Sequence, residues 1–409
     1  MRLHSASLPG RLAVIALAVG FTACESAPDL ETGAATPIEV PAGAGASLPH
    51  VADAGDAAIL SWVEPADSGH VLRFARWDGA AWSDPRDIAV GTGWFVNWAD
   101  FPSVVSLGGD ELAAHWLQRS AASTYAYDVM VSRSHDGGMT WTEPVRPHSD
   151  GTPTEHGFVS MFPVADGLGV VWLDGRKFAE GADAPATNEM TVRYAALGDG
   201  APAAEAVLDE RACDCCQTAV ALTSRGPLIA YRDRSNAEIR DIAVTRLVDG
   251  AWTEPRTLHA DNWEIDACPV NGPQADADGD DVVVAWFTAA RDTPRVQVAF
   301  SADAGETFGA PVRIDGGNPV GRVDVLLLDD ARALVLWLER TADGGQVTAR
   351  IVAADGRAGE PMAVAQTLAQ RPSGFPRMGR FGDDVLLAWT QPGDSSRVLA
   401  ATLHTGGGR

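Results

Sequence analysis

The chain has 409 residues, 46% of them hydrophobic and 21% charged, with 42 glycines, 25 prolines and 13 tryptophans. That composition excludes disordered, collagen-like and coiled-coil classes. The net charge of −24 repels phosphate and so excludes nucleic acid as a partner.

The first predicted element is a processing signal, residues 1–23. Arg2 and Arg11 bracket a basic region, and Leu12 to Phe21 is an apolar run too short to span a bilayer. It ends in Phe21-Thr22-Ala23-Cys24, small residues before a cysteine, which resembles a bacterial lipobox with Cys24 as the lipidated residue. This places the protein in the bacterial cell envelope, at the outer membrane or the periplasmic face. Its only contact with a membrane is then through the lipid anchor. Residues 24–35 are small and polar and read as a flexible tether.

From residue 36 to 404 one pattern recurs. An apolar strand ends in an aromatic landmark at Trp62, Trp116, Trp172, Tyr231, Trp286, Trp337 and Trp389, spaced by 51 to 59 residues. An outer strand follows each of the first six, near Pro85, Pro144, residues 204–208, Pro255, Pro311 and Pro361. Repeats of this length built from short β-rich runs predict an all-β protein, a seven-bladed β-propeller with four strands per blade. The seventh copy stops after its third strand at 397–403, and a matching outer strand stands at 36–40. The N-terminal strand is therefore expected to close the ring, which removes two open sheet edges. A false landmark would make the propeller six-bladed.

Two turns fit S-x-D-x-G-x-T-aromatic, at Ser134–Trp141 and Ser301–Phe308, with shorter relatives at Asp78–Trp82 and Asp249–Trp252. Aspartate accepts hydrogen bonds from turn amides and glycine takes positive φ. On these turns the chain resembles the sialidase superfamily of Asp-box (BNR) β-propellers. The resemblance implies a glycan substrate and a hydrolase built on an arginine triad, a tyrosine nucleophile helped by glutamate, and an aspartate acid/base. The F/Y-R-I-P motif that carries the first triad arginine is absent, and none of the four tyrosines follows Tyr231. The family's catalytic set therefore does not map onto this chain. Other carboxylates stand as candidates for glycosidase chemistry, Asp174, Asp233 and Glu339, together with Tyr125.

Topology puts the segments entering each blade and the turns after each landmark on one rim, opposite the S-x-D-x-G turns. Propellers bind ligands there, at the channel mouth. The rim is rich in arginine: Arg176, Arg232, Arg234, Arg291 and Arg340 follow landmarks, and Arg322, Arg371 and Arg377 lie in entering segments. Guanidinium pairs bidentately with carboxylate, so these residues suit an acidic small molecule or glycan. Trp98 and Trp263 offer indole faces for sugar stacking. The plain alternative is that Arg–Asp pairs staple neighbouring loops and the indoles fill gaps between blades.

The last feature is Cys213-Asp214-Cys215-Cys216 with Cys268, in segments entering adjacent blades. Two disulfides are one reading. A thiolate site for copper or zinc, with His156 or Met161 as a further ligand, is a second, and a redox-active pair is a third. The function expected from sequence is recognition of an acidic ligand at the channel mouth, with glycosidase activity open. The alternatives are a metal or redox propeller and a non-catalytic envelope scaffold.

Overall fold

The computed structural model describes residues 1–2, 30–165, 167–179, 187–198 and 204–405. The leader and Cys24 lie outside the described residues. The rest forms seven antiparallel sheets in a ring, with no α-helix among the described residues. In chain order the blades occupy 47–91, 103–145, 156–212, 219–257, 274–313, 319–367 and 377–404. The innermost strands of successive blades touch in a closed circuit, from blade 1 round to blade 7 and back.

The seventh blade is completed from the other end of the chain. Strand Thr36–Ile38 pairs antiparallel with Arg397–His404, in the register Thr36↔Thr402 and Ile38↔Ala400. Blade 2 keeps three strands, and its fourth position is reduced to a bridge between Val131 and Val145. In blade 4 two short strands, Ala251–Trp252 and Arg256–Thr257, share the outer edge of Ile242–Val248.

The core is seven apolar clusters, one at each interface between blades. Each landmark aromatic packs against the preceding blade, so each cluster contains one: Trp62 lies between blades 7 and 1, Trp172 between 2 and 3, Trp337 between 5 and 6. A large flat side chain per repeat fills the wedge between neighbouring sheets, and this is why the pattern is so regular in sequence. Trp62, Trp172, Trp286, Trp337 and Tyr231 are fully buried.

Burying an indole leaves its N–H to be satisfied. Three repeats solve this with an acid two residues further along the same strand, on the same face. Trp62 Nε1 donates to Glu64 at 2.6 Å, Trp172 Nε1 to Asp174 at 2.8 Å, and Trp337 Nε1 to Glu339 at 2.6 Å. Both S-x-D-x-G-x-T turns carry the same hydrogen-bond set. Asp136 accepts from Thr140 N at 2.9 Å and Thr140 Oγ1 at 2.6 Å, and Asp303 accepts from Thr307 N at 2.8 Å and Thr307 Oγ1 at 2.6 Å.

Candidate functional site

The segment between blades 1 and 2, Trp94-Phe95-Val96-Asn97-Trp98-Ala99-Asp100-Phe101, is too apolar for a solvated loop, and the structure shows why. Trp94 stacks on Trp116, and Phe95 stacks on Tyr127 with centroids 4.1 Å apart. The chain then runs toward the propeller axis. Gln217 Nε2, at the start of blade 4, donates to Ala99 O at 2.6 Å. Trp98 stacks on Phe375, which precedes blade 7, at 6.0 Å. Contacts to blades 4 and 7 from a blade 1–2 loop mean that it lies across the channel mouth. Ala99, Asp100 and Phe101 face the cavity of about 380 Å³ in the channel beneath.

Beside this loop the rim holds a wider pocket, about 830 Å³. Its walls come from the segments entering blades 2, 5, 6 and 7 and from the turns after the landmarks of blades 5 and 6. They include Trp98, Trp263, Arg322, Arg340, Arg371 and Cys268. A bulge aims Arg322. Pairing in blade 6 shifts between Gly321 and Asp324, and Arg322 sits there with φ +55°, a left-handed conformation costly for a side chain of this kind. Its guanidinium lies 4.5 Å from the Trp98 ring centroid, and Nη1 donates to Gln370 O and Gly374 O. Arg371 approaches the same indole at 5.9 Å. Burial, with Arg340 and Arg371 adding repulsion, lowers the Arg322 pKa to about 10. Among the described residues no carboxylate bonds to or pairs with Arg322, Arg340 or Arg371.

Arg176, Arg232 and Arg234, expected on this rim, are spent on the protein. Arg232 is buried beneath Trp263 at 4.9 Å and donates to Asn271 O, Arg240 O and Phe287 O. Arg176 pairs with Asp174 at 2.6 Å and Glu205 at 2.7 Å. Arg234 pairs with Glu238 and Asp214. Arg291 is exposed on a short turn and does not line the pocket. Thus Trp98, Trp263 and Arg340 come together, whereas Arg176, Arg232, Arg234 and Arg291 do not join them.

The carboxylate candidates stand apart from the pocket. Asp174 and Glu339 are the indole partners described above, repeat-equivalents of Glu64. Asp174 is fully buried, and although burial opposes it, Arg176 and His156 hold its pKa below the usual carboxylate range. Burial and neighbouring Asp209 raise Asp233 to about 6. Tyr125 is exposed, edge-on to Phe95.

The cysteine segment is a turn. Asp214 and Cys215 form its tip, so Cys213 and Cys216 face each other across its base. Their Sγ atoms are 3.3 Å apart and Cys213–Cys215 is 3.9 Å, and none of the four cysteines is disulfide-bonded in the structure. Cys213 and Cys216 are buried, while Cys268 is exposed. Burial opposes ionisation of Cys213, but hydrogen bonds from Cys215 and Cys216 and the charges of Arg232 and Arg240 bring its pKa well below the usual thiol range. His156 takes no part. Its Nε2 is 3.1 Å from Asp150 Oδ1, its Nδ1 faces Tyr127 O and Thr154 O, and its ring stacks on His148 at 3.9 Å. That His–Asp cluster is braced by Arg176, whose Nη2 is 3.4 Å from Asp150.

One group escaped sequence reasoning. Tyr127 Oη lies 2.8 Å from Asp100 Oδ2 and 2.7 Å from Glu155 Oε1. A phenol has a single proton, so it donates to one carboxylate, and the other carboxyl must carry a proton and donate to the phenol oxygen. Burial favours this, raising Asp100 to about 7 and Glu155 to about 8. Asp100 also accepts from Phe158 N at 2.7 Å. Gly157 makes room for it, because a Cβ there would collide with the Asp100 carboxylate. No spacing in the sequence signals the triad, since its members come from a loop, a third strand and the start of the next blade.

No protein-family model matches the chain, and no curated protein matches its sequence. Among solved structures the neighbours are sialidases and related propeller enzymes. A polysaccharide lyase of family PL25, an ulvan lyase, aligns at TM-score 0.53 with 8% identity over 90% of this chain and 94% of its own. Polysaccharide lyase Uly1 aligns at TM-score 0.50 with 10% identity over 87% and 89%. Hadza microbial sialidase Hz136 aligns at TM-score 0.42 with 16% identity, and this chain spans 63% of that protein's length. At these identities the likeness is one of fold.

Proposed function

We propose that the protein is a lipid-anchored, cell-envelope propeller of the sialidase-like Asp-box type that binds an acidic glycan in the rim pocket. The carrying observation is that Arg322 and Arg371 approach Trp98 and Arg340 lines the same pocket, none of the three paired with a carboxylate among the described residues, in a chain of net charge −24. Three like charges repel one another. In a protein with surplus acid, leaving them unpaired makes sense when an anion completes them. The half-buried Trp98 indole, held between Phe375 and Arg322, fixes the guanidinium groups in place for an anionic sugar. The fold neighbours fit this chemistry: one ulvan lyase was solved bound to -[GlcA(1-4)Rha3S]-, a uronic acid and a sulfated sugar. Among the described residues the pocket walls carry no Asp or Glu, so this reading is recognition rather than two-carboxylate hydrolysis.

The test is calorimetric titration with oligoglucuronate and with a sulfated oligosaccharide, against a neutral oligosaccharide of equal length. Binding of an acidic sugar that weakens with salt, and weakens about tenfold or more in Arg340→Ala, supports the proposal. Equal binding of acidic and neutral sugars, or of wild type and Arg340→Ala, overturns it. Lipid labelling that disappears in Cys24→Ala checks the anchor.

A further inference from the structure

We propose that Cys213, Cys215 and Cys216 form a thiolate site for a soft d10 cation, Cu(I) or Zn(II), with Cys268 on its outer side toward the rim pocket. The three Sγ atoms lie within 4.8 Å of one another. Sulfurs about 2.3 Å from a tetrahedral zinc are about 3.8 Å apart, so the observed separations of 3.3 and 3.9 Å bracket a metal-bound arrangement. The turn supplies the geometry before any metal arrives, because residues at its first, third and fourth positions already converge.

Charge supplies the second argument. Arg240 Nη1 lies 3.4 Å from Cys213 Sγ. Arg232 is 2% exposed, and its hydrogen bonds go only to carbonyl oxygens. A buried guanidinium without a carboxylate is costly, and thiolates beside it provide the missing negative charge. Three thiolates around a monovalent or divalent cation keep a net negative charge that these two arginines offset. An all-sulfur set excludes calcium and magnesium and selects soft cations. Zinc would need a fourth ligand, for which Cys268, exposed on the rim pocket and hydrogen-bonded with Cys215, is the candidate, whereas trigonal Cu(I) would leave it free.

Cys268 borders both sites, so metal content is read in Cys215→Ser and glycan affinity in Arg340→Ala, each a residue of one site only. The test uses the protein purified without oxygen, its thiols reduced. It is loaded with Zn(II), or with Cu(I) delivered by a chelator, and freed of excess by gel filtration. The expected result is one metal per chain by elemental analysis. Co(II) in place of Zn(II) should give thiolate charge-transfer absorption, and a Cu(I) chelator should compete only in the copper arm. Cys215→Ser, at the half-exposed tip of the turn, should fold and lose the metal. Arg240→Gln should weaken binding about 10–100-fold. Circular dichroism and thermal unfolding check that each variant is folded. Three outcomes overturn the proposal: no metal retained while four thiols titrate, metal retained undiminished in folded Cys215→Ser, or a Cys213–Cys216 disulfide in protein isolated directly from cells.

Discussion

The guanidinium of Arg322 rests 4.5 Å above the ring of Trp98, joining a blade 6 bulge to a loop that begins at blade 1. This contact makes the rim pocket one wall rather than two. The indole shields one face of Arg322, and its own other face stacks on Phe375. Trp98→Ala should remove the platform and leave Arg322 free to move. The expected effect is a loss of about 1–2 kcal/mol in affinity for an acidic oligosaccharide, roughly tenfold. Trp98→Phe should recover most of it. Titration calorimetry with all three proteins checks this, and an unchanged affinity in Trp98→Ala would sink the platform role.

The Trp–acid pairs predict a division between stability and binding. Asp174 is completely buried and ties Trp172 Nε1, Arg176 and His156 together. Asp174→Ala strands those donors and should cost about 3 kcal/mol or more in urea unfolding. Glu339 sits at the edge of its strand and accepts from Trp337 Nε1 and Asn318 N, each at 2.6 Å. Glu339→Gln keeps one of the two acceptors and sets its amide nitrogen against the other N–H, so it should cost about 1–3 kcal/mol, with glycan affinity unchanged. A large loss of binding in Glu339→Gln without unfolding would instead assign it to the site.

Ring closure by the N-terminal strand is testable by truncation. Removing residues 30–40 takes away the partner of Arg397–His404 and the side chains of Leu30, Ile38 and Val40, which pack against the interfaces of blade 7. The exposed edge should promote self-association, and the unfolding midpoint should fall by a few degrees. Calorimetry and light scattering at two concentrations check it. Wild-type behaviour of the truncated chain would mean that the strand only decorates the ring.

The seven blades were legible because one physical need recurs seven times. Every interface requires a large aromatic at the same strand position, so Trp62 to Trp389 print the architecture into the sequence. The rim pocket was legible only in part. Trp98, Trp263 and Arg340 could be assigned to the same face, yet an acid nearby in sequence does not separate Arg340, unpaired among the described residues although Asp343 stands three residues on, from Arg234, paired with Glu238 four residues on. That distinction depends on which acid lies across a loop. The role of Asp174 and Glu339 was obscured for a similar reason, since an acid two residues after a tryptophan reads as chemistry until the indole N–H is seen to need it. The crossing loop at 94–101 left a trace, an apolar run with no strand to place it in, but its destination is set by Gln217, Arg322 and Phe375, far away in the chain.

The Asp100–Tyr127–Glu155 triad predicts how stability depends on pH. Burial raises the native pKa of Asp100 to about 7 and of Glu155 to about 8, far above the usual values near 4. The folded state therefore holds at least one proton that the unfolded chain releases above pH ~4. Because the native state binds more protons, unfolding free energy falls as pH rises. The loss begins near the unfolded pKa and continues until the native carboxyl ionises, so the window is roughly pH 4 to 8. Within it, each pH unit costs about 1.4 kcal/mol per proton held. Asp100→Asn preserves the shape. The amide oxygen accepts from Phe158 N, the amide nitrogen donates to the phenol, and the phenol donates to an ionised Glu155. This variant should match wild type near pH 5 and exceed it at pH 8, with a flatter profile between. Urea unfolding at four or five pH values gives the slopes directly. Parallel profiles for the two proteins would mean that both carboxylates are ionised in the native state and that the shared proton does not exist.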